Sequence, residues 1–329
     1  MKPNLFSIAT KELSQDGFFT WLSKWADDEC TSDPELKKVA KDFICLLLDL
    51  PGYVINKVES YRQWENIDIW VNVNNEYSII IEDKTGGKAH SDQLKRYKAT
   101  AQKYCDEHNL KPVFIYMKTG NEGRESLKEV KDEGYKVVDR KMILNCFSKH
   151  EVQNDIFLDF TDYLTDLENE TNSFSDFTNI TKSWRASEGF YDALQGLILD
   201  AEGAGYWCGW GYVPNPAGGF LGFYYHGIRV RDYSVYIQLE NAVENGIKAV
   251  IKITNWTPGT EKLREVYHNI KKCADSCGIS LVKPSVHRAG TTSTVAIIEN
   301  VFSGDFAHCV SELNRVKEML SSYQKSFAE

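Results

Sequence analysis

Near Pro51-Gly52 the spacing of apolar residues changes from a helical period to the alternation of a β-strand. Before this point, apolar side chains recur every three or four residues in two segments. This predicts two amphipathic helices, the first capped by Ser14 and the second by Asp33. Beyond it, alternation predicts three strands, at residues 53–58, 67–73 and 77–83. Helices and strands in this order must pack together, because neither can bury its apolar side alone.

The rest of the first half of the chain alternates between helix and strand. A basic helix over 88–109 precedes a buried strand at 113–117, and a polar helix precedes a strand at 135–139 and a short helix at 140–148. The order ααβββαβαβα joins a meander of three strands to strand–helix–strand crossovers, which connect parallel strands. It predicts the α/β class, with a mixed central sheet flanked by helices.

The length of 329 residues suggests two domains, and the character of the sequence changes near its middle. Residues 151–183 are acidic and polar, with a helix to about Glu168 and then a linker rich in Asn, Ser and Thr. Glycine and aromatic residues are dense beyond it, as in an antiparallel meander. We predict a first domain at 1–150, a helix and linker at 151–183, and a C-terminal α+β domain of unknown role at 184–329.

Composition limits the functional classes that remain. A net charge of −9 argues against a protein that coats nucleic acid, but it permits an enzyme that contacts phosphate at one local patch. The eight cysteines include no CxxC pair, and the longest apolar run, residues 43–50, is too short to cross a bilayer. Because the N-terminus also lacks a secretory pattern, we expect a cytoplasmic protein without a membrane partner. The sequence leaves a homo-oligomer open.

The second and third predicted strands have one register that keeps their apolar side chains on a common face. It pairs Ile69 with Ile81 and requires a three-residue loop, with a residue near Asn75 in the left-handed region that asparagine tolerates. A loop shorter by one residue would mix apolar and polar side chains on both faces. The chosen register places Asp68 directly opposite Glu82.

Two carboxylates side by side on a sheet repel each other unless a cation compensates. Asp68 and Glu82 offer the hard oxygen ligands that suit Mg²⁺, with Mn²⁺ as a substitute. Lys84 lies two residues further on and points to the same side, where it can stabilise charge on a phosphate. A salt-bridged Glu-Lys pair at an exposed strand end gives the same pattern.

The helix after these strands adds further polar candidates. Gln93 and Tyr97 lie one turn apart on a single face, so that they can hydrogen-bond and present a carboxamide beside the strand ends. Lys88, Lys95 and Arg96 belong to the most basic segment of the chain and are candidates for substrate contact. An ordinary helix, with a core tyrosine and a solvated basic face, explains the same residues.

These residues together resemble the PD-(D/E)XK nuclease superfamily, and within it the branch with RecB-type motifs. Asp68 is similar to the acid of the second motif, the stretch 82–84 to (D/E)-x-K, and the stretch 93–97 to Q-x-x-x-Y. Residues 11–27 resemble the opening helix of a bacterial group in which a glutamate, here Glu12, precedes the helix. The chain departs from the pattern at Ile67, where the family usually has proline.

The resemblance covers about residues 5–150 and implies a restriction-endonuclease-like fold. It also implies a Mg²⁺-dependent nuclease that hydrolyses DNA, with a role in restriction or anti-phage defence by analogy. The implied metal ligands are Asp68, Glu82, Glu12 and the carbonyl of Asp83. Lys84 would assist the attacking water, while Gln93 and Tyr97 would position the substrate or the lysine. Asp16 competes with Glu12 as the first-helix acid.

Two alternatives stay open. One is an RNA nuclease, and the other is a non-catalytic module that binds nucleic acid or protein on a nuclease scaffold. In the C-terminal half, His226 and the pair His287-Arg288 can meet phosphate, although such residues are usually surface or packing features. Six aromatic residues there are expected mainly in the core, with stacking on unpaired bases as the alternative. They are Trp207, Trp210, Tyr212, Phe220, Tyr224 and Tyr225.

Overall fold

The structure is a computed structural model, and it describes residues 3–89, 91–215, 218–242, 246–255, 259–286 and 290–327. The chain divides into two compact units, Met1–Asn169 and Glu170–Glu329. The boundary falls inside the segment 151–183, for which the sequence predicts a helix and a linker. Among the described residues, no helix is both long and apolar enough to cross a bilayer. All eight cysteines are free thiols.

The first unit is built on a five-stranded sheet in the order β1-β2-β3-β4-β5. The strands are β1 (Val58–Trp64), β2 (Ile67–Val73), β3 (Tyr77–Lys84), β4 (Lys111–Lys118) and β5 (Lys136–Asp139). The first three pair antiparallel, whereas β3, β4 and β5 pair parallel. This mixed sheet confirms the predicted fold class and is consistent with a restriction-endonuclease-like core.

Helices cover both faces of this sheet. They are α1 (Leu5–Ile8), α2 (Glu12–Lys24), α3 (Pro34–Leu48), α4 (Ser91–His108), α5 (Arg124–Asp132), α6 (Arg140–Phe147) and α7 (Asp155–Asn172). One face packs Ile69 and Ile81 against α2, α3, α6 and α7 in the main apolar core. On the other face, Trp70 and Ile80 pack against Tyr97 of α4. The sheet is therefore buried on both sides, and polar groups can reach solvent only near its ends.

The β2–β3 hairpin has the predicted register. Ile69 pairs with Ile81, and a three-residue loop joins the strands. Asn74 and Asn75 in this loop have φ values of 53° and 55°, in the left-handed region that asparagine tolerates. Apolar matching on a two-residue period was enough to determine this pairing.

Two local predictions were wrong. The first strand begins at Val58, because the preceding segment gives its backbone hydrogen bonds to the side chain of Asn74, which accepts from the N–H groups of Asn56 and Lys57. The first long helix begins at Glu12, not after Ser14, and its N-cap residue makes no side-chain hydrogen bond. Asp33, by contrast, caps α3 as predicted, since its side chain accepts from the N–H of Leu36.

The second unit begins near the end of α7, which extends four residues beyond the predicted limit at Glu168. Its sheet is antiparallel throughout, in the order β10-β11-β9-β8-β7-β6. The strands are β6 (Cys208–Val213), β7 (Phe220–Val230), β8 (Tyr233–Ala242), β9 (Gly246–Thr254), β10 (Leu281–Val282) and β11 (Thr292–Ile298). The helices are α8 (Phe177–Ile180), α9 (Trp184–Glu202), α10 (Thr260–Ser276) and α11 (Phe306–Phe327). This arrangement confirms the predicted α+β character.

Candidate active site

Neighbouring strands bring Asp68 and Glu82 together at one end of the first sheet. They lie one step beyond the paired residues Ile69 and Ile81, and Asp68 Oδ2 accepts the backbone N–H of Asp83 at 3.1 Å. Glu82 is fully buried. Burial, followed by the adjacent Asp68 carboxylate, raises the pKa of Glu82 to about 8. The pair of acids is therefore held together at an electrostatic cost.

Lys84 provides a positive charge to this pair. Its Nζ lies 2.5 Å from Glu82 Oε1 and 3.7 Å from Asp68 Oδ2, and it donates a hydrogen bond to the carbonyl of Asp83 at 2.9 Å. Glu82 Oε1 is buried and has this ion pair as its contact, without a hydrogen bond from the described residues. Burial lowers the pKa of Lys84, but the carboxylates, with Glu82 foremost, outweigh this and raise the pKa above its usual range. This direction favours the ammonium form of the amine.

Glu12 extends the acidic group from the first turn of α2. Its Oε2 lies 3.5 Å from Lys84 Nζ, and its Oε1 accepts the backbone N–H of Thr85 at 3.2 Å. A close loop contact fixes Thr85 in turn, because a Cβ on Gly120 would lie 1.7 Å from the Thr85 carbonyl oxygen. Of the two first-helix acids, Glu12 is the one that contacts the lysine.

The side chain of Asp83 points to the opposite face of the sheet, as strand alternation requires. Its Oδ1 accepts from Gln15 Nε2 at 2.5 Å, and Gln15 Oε1 accepts from the Thr119 hydroxyl at 2.7 Å. Burial raises the pKa of Asp83 well above its usual range, and the neighbouring Asp16 adds to the effect. Burial also raises the pKa of Asp16 to about 6. Asp83 therefore faces Lys84 with its carbonyl and not with its carboxyl group.

Helix α4 places a carboxamide against Glu82. Gln93 Nε2 donates to Glu82 Oε2 and to the hydroxyl of Tyr97, each at 3.0 Å. Tyr97 itself is buried, and burial raises its pKa. The spacing of one helical turn thus produces the predicted hydrogen bond, and Glu82 Oε2 is fixed while Oε1 faces the lysine.

The three basic candidates lie on the exposed side of this region. Lys88, Lys95 and Arg96 are all exposed. Lys95 Nζ is 3.5 Å from a carboxylate oxygen of Glu133, and Arg96 lies over the ring of Tyr97. Within the described part of the chain, no hydrogen bond or ion pair joins them to the acids of the site. They stay predicted substrate contacts.

The residues of the site fit a divalent cation with few protein ligands. No group of three or more Asp, Glu, His or Cys side chains surrounds one point among the described residues. Mg²⁺, however, takes one or two carboxylates and completes its shell with water and substrate phosphate. Asp68, Glu82 and the Asp83 carbonyl supply hard oxygens, and the buried Glu82 Oε1 faces only an ammonium. Glu12 lies at the edge of this group of oxygens, where it contacts Lys84.

A family model of the PD-(D/E)XK nuclease superfamily matches residues 8–179, just over half of the chain. The chain belongs to this superfamily. The match confirms the resemblance seen in the motifs, and it spans every motif residue from Glu12 to Tyr97. The RecB-like branch stays a prediction. No curated protein and no solved structure gives a significant match to the chain.

Sequence reasoning missed two residues that contact the candidate site. Gln15 holds the Asp83 side chain, and Gln63 donates to both Asp16 and Asp68. Gln15 lies about one helical turn after Glu12, a spacing that could have indicated it. Gln63 could be found only with the correct position of β1, which the sequence did not predict.

The aromatic candidates of the second unit divide between core and surface. Trp210 and Tyr225 are buried, whereas Trp207 and Tyr212 are 48% and 58% exposed. Phe220 and Tyr224 are half-buried. The expectation of a core role therefore holds for only part of the set, and stacking on bases stays untested for the exposed members.

His226 is packed between two hydroxyl groups of the second unit. His226 is half-buried, with its ring nitrogens 2.8 Å from the Tyr206 hydroxyl and 3.2 Å from the Ser321 hydroxyl. Burial, followed by the charge of Lys317, lowers the pKa of His226 to about 4. The ring is therefore neutral near pH 7, and its contact with phosphate stays an open alternative to a packing role. The pair His287-Arg288 lies outside the described residues.

Proposed function

We propose that the protein is a Mg²⁺-dependent nuclease that hydrolyses phosphodiester bonds of DNA. The observation that carries the proposal is the contact of Lys84 Nζ with Glu82 Oε1 at 2.5 Å, beside Asp68 on the paired strand. Two acids and a lysine meet at one end of the sheet. In a member of this superfamily, this arrangement favours phosphodiester chemistry over a purely structural ion pair. Its cellular setting would be the cytoplasm, in restriction or defence against phage.

Asp68 and Glu82 would hold the cation, together with the carbonyl of Asp83. A bound Mg²⁺ supplies Lewis-acid polarisation of the phosphate and lowers the pKa of a coordinated water. Glu12 contacts Lys84 and Thr85, so it would orient the lysine and add a third carboxylate beside it. The fully buried position of Glu82 fixes its carboxylate before substrate arrives.

Lys84 would act as an electrostatic group. The surrounding carboxylates raise its pKa, which favours the ammonium form and a role in stabilising charge. An ammonium in this position can donate hydrogen bonds to the attacking water or to a phosphate oxygen, and it stabilises the negative charge of the transition state. Gln93 and Tyr97 would keep the Glu82 carboxylate turned toward the lysine.

Cleavage assays with matched variants test this proposal. Linear and plasmid DNA, single-stranded DNA and RNA would be incubated with Mg²⁺ or EDTA, using the wild type, Asp68→Ala, Lys84→Ala and the control Lys103→Ala. Lys103 is an exposed lysine of the same helix as Gln93. We expect Mg²⁺-dependent cleavage of DNA, with a loss of about 100-fold or more in the first two variants, since one electrostatic group commonly contributes that much. The control should match the wild type.

Other outcomes would redirect the assignment. Cleavage of RNA alone would replace DNA as the substrate. Equal activity of the wild type, Asp68→Ala and Lys84→Ala would show that this site is not catalytic. Binding of nucleic acid without cleavage under any metal would make the protein a binding module on a nuclease scaffold.

A further inference from the structure

Gln63 lies opposite Asp68 across the β1–β2 hairpin. The strand pairs on either side of this position are Arg62–Ile69 and Trp64–Ile67. Gln63 Nε2 donates to Asp68 Oδ1 at 3.2 Å and to Asp16 Oδ2 at 3.3 Å. We infer that Gln63 is a positioning residue, which orients the Asp68 carboxylate for cation binding. The inference rests on the proposed metal-dependent function.

The backbone of Gln63 is in a conformation that glutamine rarely adopts. Its φ is 55°, in the left-handed region, where a Cβ is crowded. The next residues with positive φ, Glu65 and Asn66 at 52° and 61°, form the two-residue turn between the strands, and turns of this length favour positive φ at both positions. Gln63 lies outside that turn. Unusual backbone conformations that the fold retains are concentrated at functional sites.

The Gln63 amide is one of two donors that hold the Asp68 carboxylate. Asp68 Oδ2 accepts the N–H of Asp83 and faces Lys84, while Oδ1 accepts the amide of Gln63. Donors on two different strands therefore fix both oxygens of the carboxylate. A carboxylate held at both oxygens loses little freedom when it binds a cation, which favours binding.

The same amide separates two acids that would otherwise repel each other. The carboxylate of Asp68 contributes to the raised pKa of Asp16, and both accept from the one amide nitrogen. Gln63 is exposed, so its side chain contributes little to the core. Its amide is a neutral hydrogen-bond donor to Asp68, the proposed cation ligand, and is not itself proposed as a ligand. These features indicate a role in orientation.

Two substitutions separate the amide from the backbone strain. Gln63→Gly removes both, whereas Gln63→Asn keeps an amide and tolerates the left-handed conformation. Glu65→Gly is the matched control, since Glu65 has a similar φ and an exposed side chain in the adjacent turn. Thermal unfolding of the metal-free proteins reports the strain, and electron paramagnetic resonance of free Mn²⁺ during titration reports cation affinity.

We expect Gln63→Gly to weaken Mn²⁺ binding by about 10-fold, the lower end of the range for residues that orient metal ligands. Its melting temperature should stay close to that of the wild type, because glycine relieves the backbone strain but also removes the amide that lies between Asp16 and Asp68. Glu65→Gly should gain stability, because there glycine only relieves strain, and it should bind Mn²⁺ like the wild type. Gln63→Asn should lie between Gln63→Gly and the wild type in affinity.

Equal Mn²⁺ affinity of Gln63→Gly and Glu65→Gly would overturn the inference, and so would a wild type that binds no Mn²⁺. If the wild type binds Mn²⁺ in a manner that depends on Gln63 but cleaves no nucleic acid, the proposed function fails and the positioning role stands. If the wild type cleaves DNA and Gln63→Gly matches it in Mn²⁺ affinity and cleavage rate, the positioning role fails and the proposed function stands.

Discussion

Asp83 directs its two polar groups to opposite sides of the sheet. Its carbonyl accepts from Lys84 Nζ, while its carboxyl group is buried against Gln15 and Asp16. The middle residue of the (D/E)-x-K motif thus anchors the strand end to α2 and also contributes an oxygen to the site. This anchoring explains how three consecutive polar residues can be buried at the end of an apolar strand.

The neutral state of His226 gives a prediction about pH. Its folded pKa of about 4 lies below the ordinary value of 6.5, so the unfolded chain binds a proton more readily between these values. The contribution to stability is full above pH 6.5 and is lost as pH falls toward 4. An NMR titration should therefore give an imidazole pKa near 4, and denaturant unfolding should show lower stability at pH 4.5 than at pH 7.

The substitution His226→Asn is the control for this pH effect. Asparagine tolerates the left-handed φ of 54° at this position and has no group that titrates in the window. The variant should lose the part of the pH dependence that His226 causes. A measured imidazole pKa near 6.5 in the wild type would contradict the account of a buried ring beside Lys317 and Glu202.

The residues of the site differ in how far the sequence could predict them. The positions of Asp68, Glu82 and Lys84 follow from strand alternation and apolar matching, both of which can be read along the chain. The contacts of Gln15 and Gln63 join α2 and β1 to the acids across long-range packing. Such contacts depend on where separate elements meet, so a single sequence carries little signal for them.

At the scale of elements, prediction worked where apolar periodicity determines the structure. The β2–β3 hairpin and the parallel β3–β4 pair are examples. It failed where a side chain replaced backbone hydrogen bonds, as Asn74 does for the segment before β1. It failed again at the start of α2, where the N-cap residue Lys11 makes no side-chain hydrogen bond.

The packing of the loop after β3 on the loop after β4 gives a prediction for Gly120. A Cβ at Gly120 would lie 1.7 Å from the Thr85 carbonyl oxygen, so alanine must push the two backbones apart. We expect Gly120→Ala to destabilise the protein by about 2 kcal/mol or more, in the range of overpacked sites, and to disturb the contact of Thr85 with Glu12. Denaturant unfolding measures the change.

Gly86→Ala provides a control in the same loop. A Cβ at Gly86 has no atom within 4 Å, and its backbone φ is not in the left-handed region. Its effect should stay within about 0.5 kcal/mol, as for other surface substitutions. If both variants unfold like the wild type, the loop after β3 does not pack tightly against Gly120.

At the scale of the whole molecule, composition and the order of elements predicted an α/β part followed by an α+β part. The role of the second unit could not be predicted in this way. Its exposed aromatics, such as Trp207 and Tyr212, belong to a surface, and recognition by surfaces depends on partners that one sequence does not specify. A net charge of −9 likewise describes the chain as a whole and not the local field at the acids.

The central claim is that Asp68 and Glu82 share one divalent cation beside Lys84. Anomalous diffraction from crystals soaked in Mn²⁺ tests it directly. We expect one peak within bonding distance of a carboxylate oxygen of each acid, with Lys84 Nζ moved away from Glu82 Oε1. A peak elsewhere, or none while the lysine remains on the glutamate, would contradict it.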